Sequence, residues 1–461
     1  MRVLMFGWEF PPEISGGLGT ACFGMTKALT AENVEVIFVA PRLSGSEERI
    51  GAELMSASDV DLPLPVHKQK RVKVLRRKED IVYREREPRI VAEHSSQHVT
   101  KVLVDSPLDP YAQPSVTHKT WPVESWNYVL QQQSPLTEKI TRMVEHEETI
   151  KTYRYPFKGG YGENLVEEVA EYARAAEEIA RRFQHDVIHV HDWMTFRAGI
   201  AAKKVSRKPL IIHVHATEFD RSGSLYGPVY DIEKEGLDAA DHVVTVSKWT
   251  REILIDRYGV SAGKISDIHN GIFRSTTPGK EAPVTGSHVV TFLGRITHQK
   301  GPAYFVEAAR KVAEQFPEVH FIVAGSGDLL PQTIDRVAQL RLSDRFHFTG
   351  FVTSEWMARI WSMSDVYVMP SVSEPFGITP LEAVQAGVPV IVSRQSGVAE
   401  VMEHALKVDF WNTTELAETI CSVLRYKSLS TMLRKEGTAE VGQLTWPKAA
   451  TNIIKVYEQL T

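Results

Sequence analysis

Two carboxylates, Glu374 and Glu382, bracket the run Pro375-Phe376-Gly377-Ile378-Thr379-Pro380-Leu381. The run follows a short apolar strand, Val366 to Met369, and leads into a helix that stops near Gly387. Gly377 lets backbone approach a ligand, and a helix start presents outward amides. Amides take phosphate charge while carboxylates take hydroxyl groups of a sugar and a ribose, so the pattern suits a sugar carrying a diphosphate. The same residues have a structural reading. Thr379-Pro380-Leu381-Glu382 fits a capping box, with threonine as N-cap, proline first in the helix and glutamate third. Both readings of Glu382 stand together. Glu374, in a loop beside Pro375, is required by neither capping nor packing.

Arg295 and Lys300 share the loop leaving the strand Val289 to Leu293. Two cations at the carboxyl end of a strand suit a pyrophosphate, one as a planar fork and the other as a compact charge. A solvated surface pair is the alternative. Gly16 and Gly17, in Ser15-Gly16-Gly17-Leu18-Gly19, lie between the strand Arg2 to Phe6 and a helix, Thr20 to Thr30. Their amides can meet phosphate or sugar, or the loop is a tight turn. A dinucleotide site is disfavoured, because the glycine spacing differs and the second strand, Val34 to Ala40, ends in Pro41-Arg42 with no acid. Gly325 and Val352 follow later strands and are candidates to touch phosphate or base. His191 and His215 sit at strand ends and are candidate site residues, with Glu218 and Asp220 just after. His189 and His213, inside strands, read as structural.

These residues need elements to hold them. Strands Val187 to Val190, Leu210 to Val214 and His242 to Val246 alternate with helices, as do Val289 to Leu293, His320 to Ala324, Arg345 to Phe348, Val366 to Met369 and Val388 to Val392. Strand carboxyl ends face the ligand crevice in such sheets. The expected fold is α/β, two Rossmann-like doubly wound domains facing across a cleft. A chain of 461 residues suits two domains with an insertion. The expected division is residues 1–275, carrying an insertion at about 45–160, then 285–443, then a helix over 444–461. Within the insertion, Lys68 to Lys78 reads as a basic, solvated strand. Trp121, Trp126 and Tyr128 read as a local core or a sugar platform.

With 43% hydrophobic and 24% charged residues and a net charge of −5, the chain reads as a soluble protein without nucleic acid as main partner. Cys22 and Cys421 match no metal spacing, and no signal-peptide or membrane-spanning pattern is seen. A cytoplasmic setting without a stable membrane anchor is expected.

Together these residues resemble the retaining GT-B glycosyltransferases, specifically family 4 and the related glycogen synthases. Glu374…Glu382 looks like that group's E-x7-E motif. Gly294-Arg295 and Lys300-Gly301 look like its donor-phosphate loop, Gly16-Gly17-Leu18-Gly19 like its glycine loop, and His191-Asp192-Trp193 like its H-D-W segment. The resemblance implies a nucleotide-sugar co-substrate, UDP- or ADP-glucose, with no metal and no other cofactor. Arg295, Lys300, Glu374 and His191 would be catalytic. Gly16, Gly17, Gly325, Val352, Gly377, Ile378, Thr379, Leu381 and Glu382 would bind donor. His215, Glu218 and Asp220 would face a glucan acceptor from the first domain, with the last helix crossing back to it. Phe376 stands where typical bacterial glycogen synthases carry a cysteine, whereas His215 to Gly223 resembles a glycogen-synthase-like segment. Alternatives are a family 4 hexosyltransferase with a sucrose-type or cell-envelope acceptor, an epimerase, or a non-catalytic sugar-binding protein.

Overall fold

The computed structural model describes residues 1–12, 16–63, 152–162, 164–273 and 287–461. The basic run 68–78, Trp121, Trp126, Tyr128 and the proline-glycine segment 278–283 lie outside the described residues. Residues 1–60 and those from Tyr155 onward belong to one compact unit, and Asp61–Pro63 with Thr152–Arg154 to another. In the smaller unit, the strand Leu62–Pro63 pairs antiparallel with Thr152–Tyr153, and Arg154 bonds Asp61 at 2.8 Å.

The larger unit contains two parallel sheets. The first is built from β1 (Arg2–Phe6), β2 (Glu35–Ala40) and β3 (Glu53–Ser56). The smaller unit's pair are β4 and β5. The first sheet continues with β6 (Val187–His191), β7 (Leu210–Val214), β8 (His242–Thr245) and β9 (Ile265–Asp267), in the order β3-β2-β1-β6-β7-β8-β9. The second sheet holds β10 (His288–Leu293), β11 (Val319–Ala324), β12 (Phe346–Gly350), β13 (Val366–Met369), β14 (Val390–Ser393) and β15 (Leu406–Val408), in the order β12-β11-β10-β13-β14-β15. Central strands such as Val3-Leu4-Met5-Phe6 are continuously apolar and fully buried, as strands covered by helices on both faces must be. In both sheets the order turns back beside the first strand, which opens a crevice at the strand carboxyl ends.

Some details differ from the sequence reading. Residues 53–56, inside the stretch read as insertion, add an edge strand to the first sheet. The helix after the glycine loop spans Gly17–Ala31 and so begins inside that loop. Among the described residues, no helix is long and apolar enough to cross a membrane.

The final helix, Trp446–Leu460, belongs to the first sheet's core. Its apolar stripe Trp446, Ala449, Ala450, Ile453, Val456 and Tyr457 is buried with Val3, Met5, Cys22 and Met25. The chain arrives there beside its own departure point: the Ile272 amide donates to Leu444 O at 3.0 Å, and Ile272 bridges Thr445. Glycine is required at this crossing. A Cβ on Gly24 would lie 2.2 Å from the Trp446 ring, and one on Gly271 would lie 2.3 Å from Thr445 backbone. Gly24→Ala is therefore expected to lower stability by about 1–3 kcal/mol, measured by denaturant unfolding, as overpacked cores do. An unchanged midpoint would show that this helix is not seated on the first lobe.

Candidate functional site

The loop after β10 is fixed by its neighbours. The Gly294 amide donates to Ala324 O, Ile296 N to Ser326 O and Leu329 N to Ile296 O, all within 3.0 Å. Gly325 has φ +136, and a Cβ there would sit 1.9 Å from Gly294 O. Gly325 is thus a glycine because two strand ends meet, and the Arg295 loop depends on it. Lys300 ends a short turn, His298–Lys300, followed by Gly301 at φ +70. A Cβ on Gly301 would meet Pro370 O at 2.1 Å, so the loops after β10 and β13 touch backbone to backbone.

That contact sets the central pair. Lys300 Nζ donates to Glu374 Oε2 at 2.5 Å, and Ser371 Oγ donates to the same oxygen at 3.2 Å. Glu374 is 6% exposed. Its amide donates to Gln395 O, and Gly397 N donates to Glu374 O, so the loop after β14 braces it as well. A cation and an acid predicted from separate stretches, Lys300 and Glu374, therefore meet on one cluster of strand-end loops. Glu382 is largely enclosed, and desolvation pushes its carboxyl up to about 7.

The helix behind this loop begins two residues earlier than the capping-box reading requires. It spans Ile378–Gln385 with Gly377, φ +100, at its N-cap and no side-chain cap. Thr379 is not the cap, Pro380 is not first in the helix, and Glu382 lies in the second turn. The amides of Gly377, Ile378 and Thr379 occupy the turn that lacks intrahelical acceptors. Leu381 does not: it is fully buried, and its amide falls within the helical ladder.

Gly16 is extended at the N-cap of Gly17–Ala31. A Cβ on Gly16 or Gly17 would meet no described atom within 4 Å, and neither has positive φ. Neither packing nor backbone geometry among the described residues therefore calls for glycine here. Val352 packs beside Ile322, Ala324 and Ile360 at the end of β12.

The first lobe grips the Glu374 loop directly. Ser247 Oγ donates to Pro375 O at 2.5 Å, and Ser373 Oγ donates to Asp220 Oδ1 at 2.6 Å. Glu400 receives the amides of Lys248 and Trp249, which start the helix Lys248–Tyr258, at 3.0 and 2.5 Å. A carboxylate there complements the helix dipole. His269 bonds the same carboxylate at 3.2 Å.

Two acids read as acceptor ligands have other work. Glu218 accepts from Arg221 at 3.3 Å and from Ser222 Oγ at 2.7 Å. Asp220 accepts the Thr217 amide and hydroxyl besides Ser373, in a capping box. In this structure their carboxylates brace the helix Glu218–Ser222, and that of Asp220 also reaches the Glu374 loop through Ser373. Glu233, unmarked in the sequence, binds Arg221, the Glu218 amide and Tyr258, and burial pushes its carboxyl up to about 7.

His191 is the last residue of β6, one residue further into the strand than expected, and is fully buried. Its Nδ1 lies 2.9 Å from His215 Nε2. His189 and His213 join the same array: His189 stacks on His191 with ring centroids 4.5 Å apart, and His213 on His215 at 4.4 Å. Strand alternation puts all four rings on one face. Burial drives His189 and His215 down to about 3 and the other two well below their ordinary value, so the array is neutral at pH 7. Asp192, at φ +60, turns the chain into the helix Trp193–Ser206 and accepts the His215 amide at 2.6 Å. Burial raises its carboxyl to about 6.

Residues 273–440 match the model of Glycosyl transferases group 1, residues 139–274 that of Glycosyltransferase Family 4, and residues 2–101 that of the Starch synthase catalytic domain. An uncharacterized glycosyltransferase of Methanocaldococcus jannaschii is 33% identical over 241 residues, covering 48% of this chain and 60% of the relative. The chain thus spans less than two thirds of that relative. A glycogen synthase of Mycobacterium tuberculosis is 23% identical over 408 residues, covering 87% of this chain and 80% of the relative. Sucrose-phosphate synthase from Thermosynechococcus elongatus superposes with TM-score 0.67 at 18% identity, over 100% of this chain and 98% of that one. Anabaena HepE in complex with UDP-glucose gives 0.64 at 15% identity over 100% of both chains. At such identities the structures speak for the fold. The chain therefore has the GT-B fold, and its segments are similar to glycosyltransferases of group 1, of family 4 and of the starch synthase type.

Proposed function

We propose that the protein transfers glucose from a nucleotide donor, UDP- or ADP-glucose, to a glucan acceptor, retaining the anomeric configuration and using no metal at the diphosphate. The observation that carries this reading is Lys300 seated on Glu374 at the meeting of three strand-end loops, beside a helix N-terminus. Support for the donor comes from the HepE complex with UDP-glucose, and for the acceptor from the glycogen synthase similarity over most of the chain.

In this reading Arg295 and Lys300 neutralise charge building on the departing diphosphate. Amides of Gly16, Gly17, Gly377, Ile378 and Thr379 add donors without a reorganisation cost. Glu374 takes sugar hydroxyls, Glu382 the ribose, and His191 faces the transferred sugar. Gly325 and Val352 border the nucleotide. A neutral His191 donates or accepts a hydrogen bond without adding charge near the sugar. The acceptor approaches from the first lobe, and the reaction calls for no cofactor beyond the donor.

The direct test supplies UDP-glucose or ADP-glucose, with and without a glucan primer, and follows nucleoside diphosphate release and chain extension. Primer-dependent release that survives a chelator is expected. Release that needs a different sugar acceptor would replace the glucan assignment, and conversion of the donor with no acceptor would indicate an epimerase. Lys300→Ala and Glu374→Ala are each expected to lose at least about a hundredfold in kcat, the scale of one removed transition-state contact. Full activity in both would overturn the site.

Glu382 gives a pH signature. Its carboxyl, raised to about 7, must be ionised to accept ribose hydroxyls fully. Affinity for the nucleotide sugar, whose diphosphate does not titrate here, is therefore expected to rise with pH from 6 to 8, by calorimetry. Glu382→Gln should flatten that profile. A wild-type profile that is already flat would remove Glu382 from the ribose.

A further inference from the structure

We infer that the buried histidine array is also a binding site for a divalent transition metal ion such as Zn2+, with His189, His191 and His213 as ligands. One ring nitrogen from each of the three lies within 4.8 Å of the others. His189 Nε2 and His213 Nδ1 are 3.3 Å apart. That is long for a hydrogen bond between ring nitrogens. It matches the edge of a tetrahedron built on bonds of about 2.0–2.1 Å, the zinc–imidazole length.

A second observation points the same way. Nε2 of His191 and Nε2 of His213 are buried with no hydrogen-bond partner among the described residues. An unsatisfied ring nitrogen in the core is costly unless something binds it, and Nε2 of His191 is the one the ion would take.

The surrounding contacts have the form that metal-bound histidines adopt, in which the nitrogen away from the ion is hydrogen-bonded. His189 Nδ1 lies 2.5 Å from the Tyr457 hydroxyl, and His191 Nδ1 lies 2.9 Å from His215 Nε2. If the Nδ1–H groups of His189 and His191 donate outward, their Nε2 lone pairs are left for the ion, and His213 offers Nδ1, the atom 3.3 Å from His189 Nε2. An all-imidazole set favours zinc, copper, nickel or cobalt over magnesium or calcium. His215, the member that keeps some exposed surface, marks the side of entry. Tyr457 lies on the final helix, so the site would tie that helix to β6 and β7.

The array stands on the first sheet, whereas the cation loop belongs to the second. A loaded site would engage His191 and slow transfer; that clause rests on the function proposed above, whereas metal binding does not.

Metal-stripped protein titrated with Co2+ is expected to develop the visible absorption of a low-coordinate cobalt site at one equivalent. Zn2+ should displace it and raise Tm. His189→Gln and His213→Gln should abolish the band. Tyr457→Phe, which keeps the ring in the core, should weaken affinity roughly tenfold or more, as loss of an outer hydrogen bond to a ligand does. If the histidine variants fail to fold, Tyr457→Phe decides. A double variant, His320→Gln with His347→Gln, removes the exposed pair whose nitrogens lie 3.0 Å apart and should keep the band. No band in the wild type, wild-type affinity in Tyr457→Phe, or loss of the band only in the surface variant would overturn the site. Metal bound with turnover unchanged would keep the site and remove His191 from the sugar. Intact turnover with no metal bound would remove the site alone.

Discussion

The contact between Lys300 and Glu374 is the constraint on which the rest of the structure turns. Glu374 is almost wholly enclosed, whereas the lysine side chain keeps 22% of its surface. An enclosed carboxylate without a cation is unfavourable by several kcal/mol, so each partner fixes the other. The pair also explains glycines that are otherwise puzzling. Gly301, Gly325 and Gly397 each stand where a Cβ would strike backbone from a neighbouring loop. Four loops approach this closely only because side chains are missing there, and the result is a cation and an acid held in fixed register at the strand ends.

The first lobe contributes as much to that loop as the second. Ser247 holds Pro375 O, Asp220 holds Ser373, and a Cβ on Gly397 would lie 2.4 Å from Ser247 Cβ. Asp220 is itself positioned by Thr217, one residue before Glu218, which the Arg221–Glu233 pair braces. A chain of buried charges therefore runs from the helix Pro228–Ala239 to the Glu374 loop. Buried charge networks of this kind favour one arrangement because any partial version strands a charge.

The sequence made the centre of the fold legible. β1, β7 and β13 match their apolar runs residue for residue, because strands covered on both faces leave no ambiguity of period. The edge strands β3, β9 and β15 were not foreseen, being short and only partly apolar. Lys300 and Glu374 were both recognised from loop position, although nothing in the sequence shows that they bond each other. The helix start at Gly377 was misjudged because Thr379-Pro380-Leu381-Glu382 imitates a cap, while a glycine at positive φ already begins the turn. Glu218 and Asp220 were legible as residues after a strand end, whereas their bracing was not, because Glu233 and Tyr258 lie well along the chain. The histidines at 189 and 213 looked structural for the right reason, burial, but their union with 191 and 215 required the β6–β7 register.

The account's central claim is that Lys300 and Glu374 act as one device. A double-mutant cycle on kcat/KM for the nucleotide-glucose donor tests it most directly. If the pair is a unit, Lys300→Ala with Glu374→Ala should cost little more than the worse single variant, leaving a coupling of about 2.7 kcal/mol, the size of one hundredfold loss. Losses that simply add would contradict the claim and leave two residues that are near each other without working together.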